Sequence, residues 1–157
     1  SLKKDCGISK PRIAVLGINP HVGDNGVIGT EDQDTLIPAL EQLREDGNII
    51  FGPYAADSFF GNKKYKEFDA VLASYHDQGL IPFKTIAFGH GVNYTAGLSH
   101  VRTSPDHGTG FDIAGKGTAN PESFVAAIDA AIEIYLKRKE YDILNENPLK
   151  KLSRKRR

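Results

Sequence analysis

Residues 74–102 read SYHDQGLIPFKTIAFGHGVNYTAGLSHVR, and this stretch holds the features that decide the fold. The apolar run AVLA at 70–73 comes directly before it and is typical of a buried strand. His76 follows that run, and in open α/β sheets ligands bind just beyond the carboxyl ends of the strands. Three further polar side chains follow: Lys84, Asn93 and Arg102. Together they predict a site for a small anionic molecule, and the alternative is that they are ordinary loop polars and helix caps.

A second histidine stands at the same kind of position. The apolar run RIAVLGI at 12–18 predicts a buried strand, and the loop NPHVGDNG at 19–26, which is dense in turn-forming residues, follows it. His21 therefore also lies just past the carboxyl end of a strand. The alternative is a histidine that hydrogen-bonds only within its own turn.

Strand and helix patterns alternate around these two loops. Further strands are predicted at 48–53, 69–75, 91–97 and 101–103, and helices after Thr30, at 63–67, at 79–88 and from Pro121. Pro38 is expected to bend the first helix or shift its start, and residues 55–60 read as irregular. This alternation predicts an α/β fold with a layered mixed sheet flanked by helices.

Further expectations concern the last helix and the division of the chain. Asn120 is the predicted N-cap of that helix. Its buried stripe is predicted to be Phe124, Ile128, Ala131, Ile132 and Tyr135. We expect a single domain over residues 1–140, followed by a basic tail at 141–157.

The composition excludes several classes of protein. The 157 residues include 20 basic and 20 acidic side chains, so no overall charge favours nucleic acid or a membrane surface. Cys6 is the single cysteine, which excludes an internal disulfide and favours a reducing, cytoplasmic location. There is no apolar run of about 18 residues for a membrane span and no signal-peptide pattern. The basic end KKLSRKRR at 150–157 is typical of a solvated tail, and the alternative is an interaction tail.

The connection SPDHGTGFDIAGKGTAN at 104–120 has the composition of a nucleotide-binding loop. Its glycines allow the backbone to approach a ligand closely. The Asp112 carboxylate suits the paired hydroxyls of a ribose, and His107 suits a base. The loop lacks the G-x-G-x-x-G fingerprint, so a Rossmann site is not indicated. The alternative is a glycine-rich connection without a ligand.

Several of these segments, in order, resemble the 4-hydroxythreonine-4-phosphate dehydrogenase family of vitamin B6 (pyridoxal phosphate) biosynthesis. They are GINPHVGD at 17–24, YHDQG at 75–79, the spacing of Lys84, Asn93 and Arg102, and RTSPDHGT at 102–109. The resemblance runs from about Leu2 to Tyr135. It extends to the isocitrate and isopropylmalate dehydrogenases, whose adenosine-binding loop is similar to residues 107–117.

The resemblance implies a role for each candidate residue. His21 and His76 would bind a divalent metal ion, which is zinc, cobalt or magnesium. Lys84, Asn93 and Arg102 would contact the substrate, and Lys84 would also shuttle a proton or serve only as a contact. The residues implied for binding NAD or NADP are His107, Gly108, Thr109, Asp112 and Asn120.

The resemblance also implies a reaction and an assembly. The family oxidises 4-phosphooxy-threonine, a small phosphorylated amino acid, to a 3-oxo acid that loses carbon dioxide, and it does so as a homodimer with a shared active site. The family's third metal histidine belongs to an N-terminal half. We therefore expect this chain to be the C-terminal part of a longer enzyme and to be inactive alone.

Three other functions stay open. The first is a related dehydrogenase that acts on another hydroxy acid. The second is a metal-dependent hydrolase that uses the same histidines with Asp77 or Asp106 as its base. The third is an interaction module that acts through the basic tail and binds nucleic acid in a salt-sensitive way.

Overall fold

The computed structural model describes residues 1–87 and 89–149. The chain forms two compact units. One is Ser9–Gly91, here called the central unit, and the other is Ser1–Ile8 with the residues from Val92 onward, here called the terminal unit. The division into a domain at 1–140 and a tail at 141–157 stays a prediction, and residues 150–157 of that tail lie outside the described residues.

A three-stranded parallel sheet forms the middle of the central unit. Its strands are β1 (Arg12–Leu16), β2 (Ile49–Tyr54) and β3 (Ala70–Leu72), and β1 lies between the other two. Ala14 and Leu16 of β1 are fully buried. This parallel pairing confirms the predicted α/β class.

Helical segments connect these strands, as parallel pairing requires. They are the π-helical turn Asp32–Leu36, α1 (Ile37–Glu45), α2 (Ala56–Gly61) and the 3₁₀ turn Lys64–Glu67, whereas α3 (His76–Ala87) follows β3. Pro38 lies in the first turn of α1, and the π-helical turn directly precedes it. The chain is already helical from Glu31, so the expected shift of the helix start is not seen, and the irregularity is a π-helical turn ahead of Pro38. The predicted end of the third helix, Phe88, lies outside the described residues.

Aromatic packing explains a helix that the sequence patterns missed. Residues 55–60 were expected to be irregular, which is wrong, because α2 begins at Ala56. Phe59 of α2 is buried against Ala14 and Leu16, and its ring lies 5.2 Å from that of Tyr54. Packing of this large apolar side chain stabilises a helix with few local signals.

The terminal unit contains an antiparallel pair of strands and one long helix. The strands are β4 (Val92–Tyr94) and β5 (Thr103–Pro105), and the helix is α4 (Glu122–Glu146). A 3₁₀ turn, Phe111–Ile113, lies between β5 and α4. The expected single mixed sheet is wrong for the described strands, because parallel and antiparallel pairing occur in separate sheets.

Helix α4 buries a different face from the predicted one. Ala127 and Ile134 are buried, whereas Phe124 is 58% and Tyr135 60% exposed. Ile128 and Ile132 are exposed as well. The predicted stripe is therefore wrong, because small side chains allow the backbone of α4 to approach the hairpin, where Thr103 Oγ1 donates a 2.8 Å hydrogen bond to the Ala127 carbonyl. No helix within residues 1–87 and 89–149 is both long and apolar enough to cross a membrane.

Candidate functional site

His21 and His76 follow neighbouring strands at the same edge of the central sheet. His21 lies in the turn Pro20–Gly26 after β1, and His76 is the first residue of α3 after β3. Because β1 and β3 pair directly and in parallel, their carboxyl ends meet at one edge. Both histidines are exposed. Their predicted positions beyond strand ends are confirmed, and a shared metal ion stays a prediction.

The turn that carries His21 has an unusual backbone. All five residues at 21–25 have positive φ, including 52° at His21 and 57° at Val22. L-residues rarely adopt this left-handed conformation, and a β-branched residue there is a clear outlier. Position 23 requires glycine, because a Cβ there would clash with the Gly29 carbonyl oxygen. Backbone strain of this kind occurs most often at functional sites.

Side chains of the following helical segment hold this turn in place. The Asp32 side chain is 0% exposed, and its two oxygens accept hydrogen bonds from the backbone N–H groups of Ile18 and Asn19, each at 2.8 Å. Gln33 Nε2 donates to the Val22 carbonyl at 2.9 Å. Charge-assisted bonds such as those to Asp32 are strong. The sequence indicated only that a helix follows Thr30, and the function of Asp32 and Gln33 in holding the His21 turn was missed.

Gln78 links the two histidine-bearing loops. Its Nε2 donates to the Gly17 carbonyl after β1, and its Oε1 accepts from the Ser74 N–H after β3, both at 2.8 Å. Gly17 is buried and Gln78 is half-buried. Gln78 belongs to the quoted motif YHDQG, but nothing local in the sequence indicates a partner that lies 61 residues away.

His76 has a geometry that suits metal binding. Its Nδ1 lies 2.8 Å from Asp77 Oδ1, and both side chains are 79% exposed. A histidine that donates its Nδ1–H to a carboxylate keeps Nε2 available as a ligand. Across residues 1–87 and 89–149, no three histidine, cysteine or acidic side chains form a group able to hold a metal ion. A metal ion shared by His21 and His76 therefore stays a prediction, and two histidines alone would leave its ligand set incomplete.

Lys84 lies in the last turn of α3 and is exposed. A cation at this position is also favourable for the helix itself, because the carboxyl end of a helix carries partial negative charge. The position alone therefore fits both a substrate contact and a structural role.

Asn93 and Arg102 lie on the same face of the β4–β5 hairpin. Asn93 pairs with Ser104, and the Thr95 N–H donates to the Arg102 carbonyl at 3.0 Å. Since side chains two residues apart point to one face of a strand, Asn93 and Arg102 are diagonal neighbours. Arg102 Nη1 also donates to Thr95 Oγ1 at 2.8 Å, which orients the guanidinium. The hairpin thus brings together an amide and a cation that the sequence separates.

The predicted nucleotide-binding residues lie in the connection between β5 and α4. His107, Gly108, Thr109, Asp112 and Asn120 are all exposed. His107 Nδ1 donates to the Gly108 carbonyl at 2.9 Å, and Asn120 Oδ1 accepts from the Glu122 N–H at 2.9 Å. The prediction that Asn120 is the N-cap of α4 is wrong, because α4 begins at Glu122 and Pro121 is its N-cap. Part of the hydrogen-bonding capacity of Asn120 nevertheless serves the start of that helix. Nucleotide binding stays a prediction.

Comparison with known proteins places these features in one family. A family model described as pyridoxal phosphate biosynthetic protein PdxA matches residues 1–131. The 4-hydroxythreonine-4-phosphate dehydrogenase of Bacteroides thetaiotaomicron is 55% identical over 150 residues, which cover 96% of this chain and 41% of the relative. That of Prosthecochloris aestuarii is 54% identical over 138 residues, which cover 88% and 40%.

Two solved structures of dehydrogenases are also similar to this chain. A crystal structure of 4-hydroxythreonine-4-phosphate dehydrogenase from Klebsiella pneumoniae has a TM-score of 0.72 and 46% identity, covering 85% of this chain and 40% of that one. A terephthalate 1,2-cis-dihydrodiol dehydrogenase from Burkholderia xenovorans has a TM-score of 0.56 and 35% identity, covering 82% and 41%. The chain thus spans about 40% of the length of these relatives.

The family match covers most of the described residues, including both histidine-bearing loops and the β4–β5 hairpin. We conclude that this chain belongs to the pyridoxal phosphate biosynthetic protein PdxA family.

Proposed function

We propose that this chain supplies part of an enzyme that oxidises 4-phosphooxy-threonine with NAD or NADP and a divalent metal ion, giving a 3-oxo acid that decarboxylates. The names of its relatives support the reaction. The single observation that carries the metal part is the placement of His21 and His76 on loops that leave adjacent parallel strands and are joined through Gln78.

His21 and His76 are the proposed metal ligands. Imidazole donors favour zinc or cobalt over calcium, and magnesium is the third candidate. When bound, such an ion supplies a Lewis acid that lowers the pKa of the substrate alcohol. Asp77 accepts the Nδ1 proton of His76 and so presents Nε2 to the ion. Asp32 and Gln33 keep the His21 turn in its left-handed conformation.

Three side chains are the proposed substrate contacts. Arg102 is suited to a bidentate grip on a carboxylate or phosphate, and Asn93 on the same hairpin face adds an amide. Lys84 contributes a second cation. We further propose that Lys84 moves a proton to or from the reacting substrate, the role that makes it the catalytic residue of this chain.

The loop between β5 and α4 is the proposed nucleotide site. NAD or NADP supplies the hydride acceptor when bound. In this proposal Asp112 accepts hydrogen bonds from the ribose, and His107, Gly108, Thr109 and Asn120 contact the adenosine portion. His107 Nδ1 already donates to the Gly108 carbonyl, which leaves Nε2 available to a ligand.

The assembly and wider relationships are also proposals. We infer a cytoplasmic homodimer with a shared active site, built on an isocitrate/isopropylmalate dehydrogenase-like fold. The exposed apolar stripe of α4, formed by Phe124, Ile128, Ile132 and Tyr135, supports an interface, because large exposed apolar patches usually contact a partner.

The reaction is tested in the full-length protein, meaning this chain with the sequence that adjoins it in its gene. Formation of reduced nicotinamide from NAD or NADP is followed by absorbance with 4-phosphooxy-threonine and added zinc, cobalt or magnesium. We expect turnover that stops when the metal is chelated. The His76→Ala variant should lose turnover, and His90→Ala, which changes an exposed histidine outside the proposed site, should retain it.

Two outcomes of this assay would favour another function. Nicotinamide reduction with a cis-dihydrodiol or another hydroxy acid, but not with 4-phosphooxy-threonine, would indicate the related dehydrogenase, a possibility that the Burkholderia xenovorans structure supports. Release of phosphate without nicotinamide reduction would indicate the hydrolase.

A further inference from the structure

We infer that Gln78 is a positioning residue, whose side chain fixes the loop that carries His21 against the loop that carries His76. The inference rests on the proposed function, in which both histidines bind one divalent cation. It assigns to Gln78 a role that neither ligand can fulfil, because each histidine lies on its own loop.

The need for such a link follows from where the strands stop pairing. The last residues paired between β1 and β3 are Val15 and Leu72. Gly17 and Ser74 each lie two residues beyond that pair. Gln78 bonds to both, donating Nε2–H to the Gly17 carbonyl and accepting the Ser74 N–H at Oε1, each at 2.8 Å. The Gln78 amide therefore extends the connection between β1 and β3 past the last backbone pair of the sheet.

The contacts on each side carry this constraint to the histidines. Gly17 is buried, and the next two residues, Ile18 and Asn19, bond to the buried Asp32 carboxylate. A shift of Gly17 would therefore move the whole start of the His21 turn. On the other side, Gln78 lies in the first turn of α3, which begins at His76. A shift of Gln78 would therefore move the His76 imidazole ring.

The chemistry of the side chain fits this role. A glutamine amide presents a donor and an acceptor at the same end, and this pair of contacts uses one of each. Methionine has a similar length but no N–H and only a weak acceptor. A glutamate in this position would place an oxygen against the Gly17 carbonyl oxygen. Removal of groups that orient metal ligands typically costs 10–100-fold in metal affinity.

The test measures metal binding in the full-length protein, with no substrate present. Zinc affinity is obtained by competition with a chromophoric chelator for Gln78→Met, for Gln78→Ala and for Gln42→Met, a matched change on the exposed face of α1. The absorption spectrum of the cobalt-loaded proteins reports ligand geometry, and thermal unfolding reports stability. We expect both Gln78 variants to bind zinc at least about tenfold more weakly and to show an altered cobalt spectrum. Gln42→Met should match wild type.

His76→Ala separates this inference from the proposed function. If His76→Ala loses zinc while both Gln78 variants bind like wild type, the positioning role is wrong and the metal site stands. If His76→Ala still binds zinc like wild type, the proposed metal site fails, and the inference fails with it. If both Gln78 variants unfold well below the wild-type temperature and lose zinc only for that reason, Gln78 is a general stability residue and the inference is overturned.

Discussion

The Arg138 guanidinium and the Asp5 carboxylate form a buried ion pair, with an Nε–Oδ1 distance of 2.5 Å. Asp5 is 3% exposed, and its other oxygen accepts a 2.6 Å hydrogen bond from the Tyr94 hydroxyl. Arg138 Nη2 also bonds to that hydroxyl oxygen, at 2.9 Å. These three side chains join the N-terminal segment, β4 and α4 within the terminal unit.

This network makes the stability of the terminal unit depend on pH. Burial raises the pKa of Asp5, but hydrogen bonds from Arg138 and Tyr94 outweigh burial and lower it from 3.8 to about 2. Because the folded state favours the charged carboxylate, the stabilisation is complete above about pH 4 and is lost as pH falls toward 2. Its size is about 2 kcal/mol.

The check is urea unfolding as a function of pH, comparing wild type with Asp5→Asn. The difference in unfolding free energy should shrink as pH falls from about 4. Asp142→Asn is the control, because the Asp142 pair with Lys4 is exposed and should contribute little. A difference between wild type and Asp5→Asn that does not change with pH would contradict the prediction.

A second prediction concerns Gly23 in the left-handed turn. Gly23→Ala places a Cβ against the Gly29 carbonyl at a φ of +80°, so we expect a loss of about 3 kcal/mol from strain and overpacking together. Gly47→Ala is the matched control, since Gly47 has a φ of +87° and open space around it, and should lose only about 1 kcal/mol. Equal losses in chemical denaturation would show that crowding at Gly23 is unimportant.

A third prediction tests the exposed stripe of α4 as a contact between two copies of the protein. Ile132→Glu places a charge in that stripe, and sedimentation velocity of the full-length protein should shift from dimer to monomer. Leu144→Glu should not shift it, because Leu144 lies about three turns further along α4 and points about 120° away from Ile132 around the helix axis. A dimer that persists in Ile132→Glu would place the stripe outside the interface between copies.

The structure also explains how far sequence patterns can predict this chain. The apolar runs of β1 and β3, bounded by turn-forming residues, correctly located His21 and His76 because the signals are local. The contact between Gln78 and Gly17 joins residues that are far apart in sequence and depends on tertiary structure. The left-handed conformation of Val22 contradicts its own preference, so no propensity predicts it.

Helix α4 shows a different limit of prediction from sequence patterns. Helical spacing correctly indicates which side chains share a face, but α4 has two apolar faces about 100° apart, one with Ala127 and Ile134 and one with Ile128 and Tyr135. Periodicity does not reveal which face meets the neighbouring hairpin. Here close approach of the backbone favours the alanine face, and the larger side chains stay exposed.

A fourth prediction concerns Lys84. Lys84→Ala in the full-length protein should lower turnover at least about a hundredfold, the usual scale for loss of general acid–base catalysis. Lys10→Ala removes an exposed lysine outside the proposed site and should leave turnover unchanged. If the Lys84 variant raises KM with kcat unchanged, Lys84 only contacts the substrate.

The most direct test of a metal ion shared by His21 and His76 is a zinc-edge anomalous difference map from crystals of the full-length protein grown with zinc. A single peak about 2.0–2.1 Å from a ring nitrogen of both His21 and His76 is the predicted result. A peak at only one of these histidines, or at neither, would contradict the proposal that the two loops hold one metal ion.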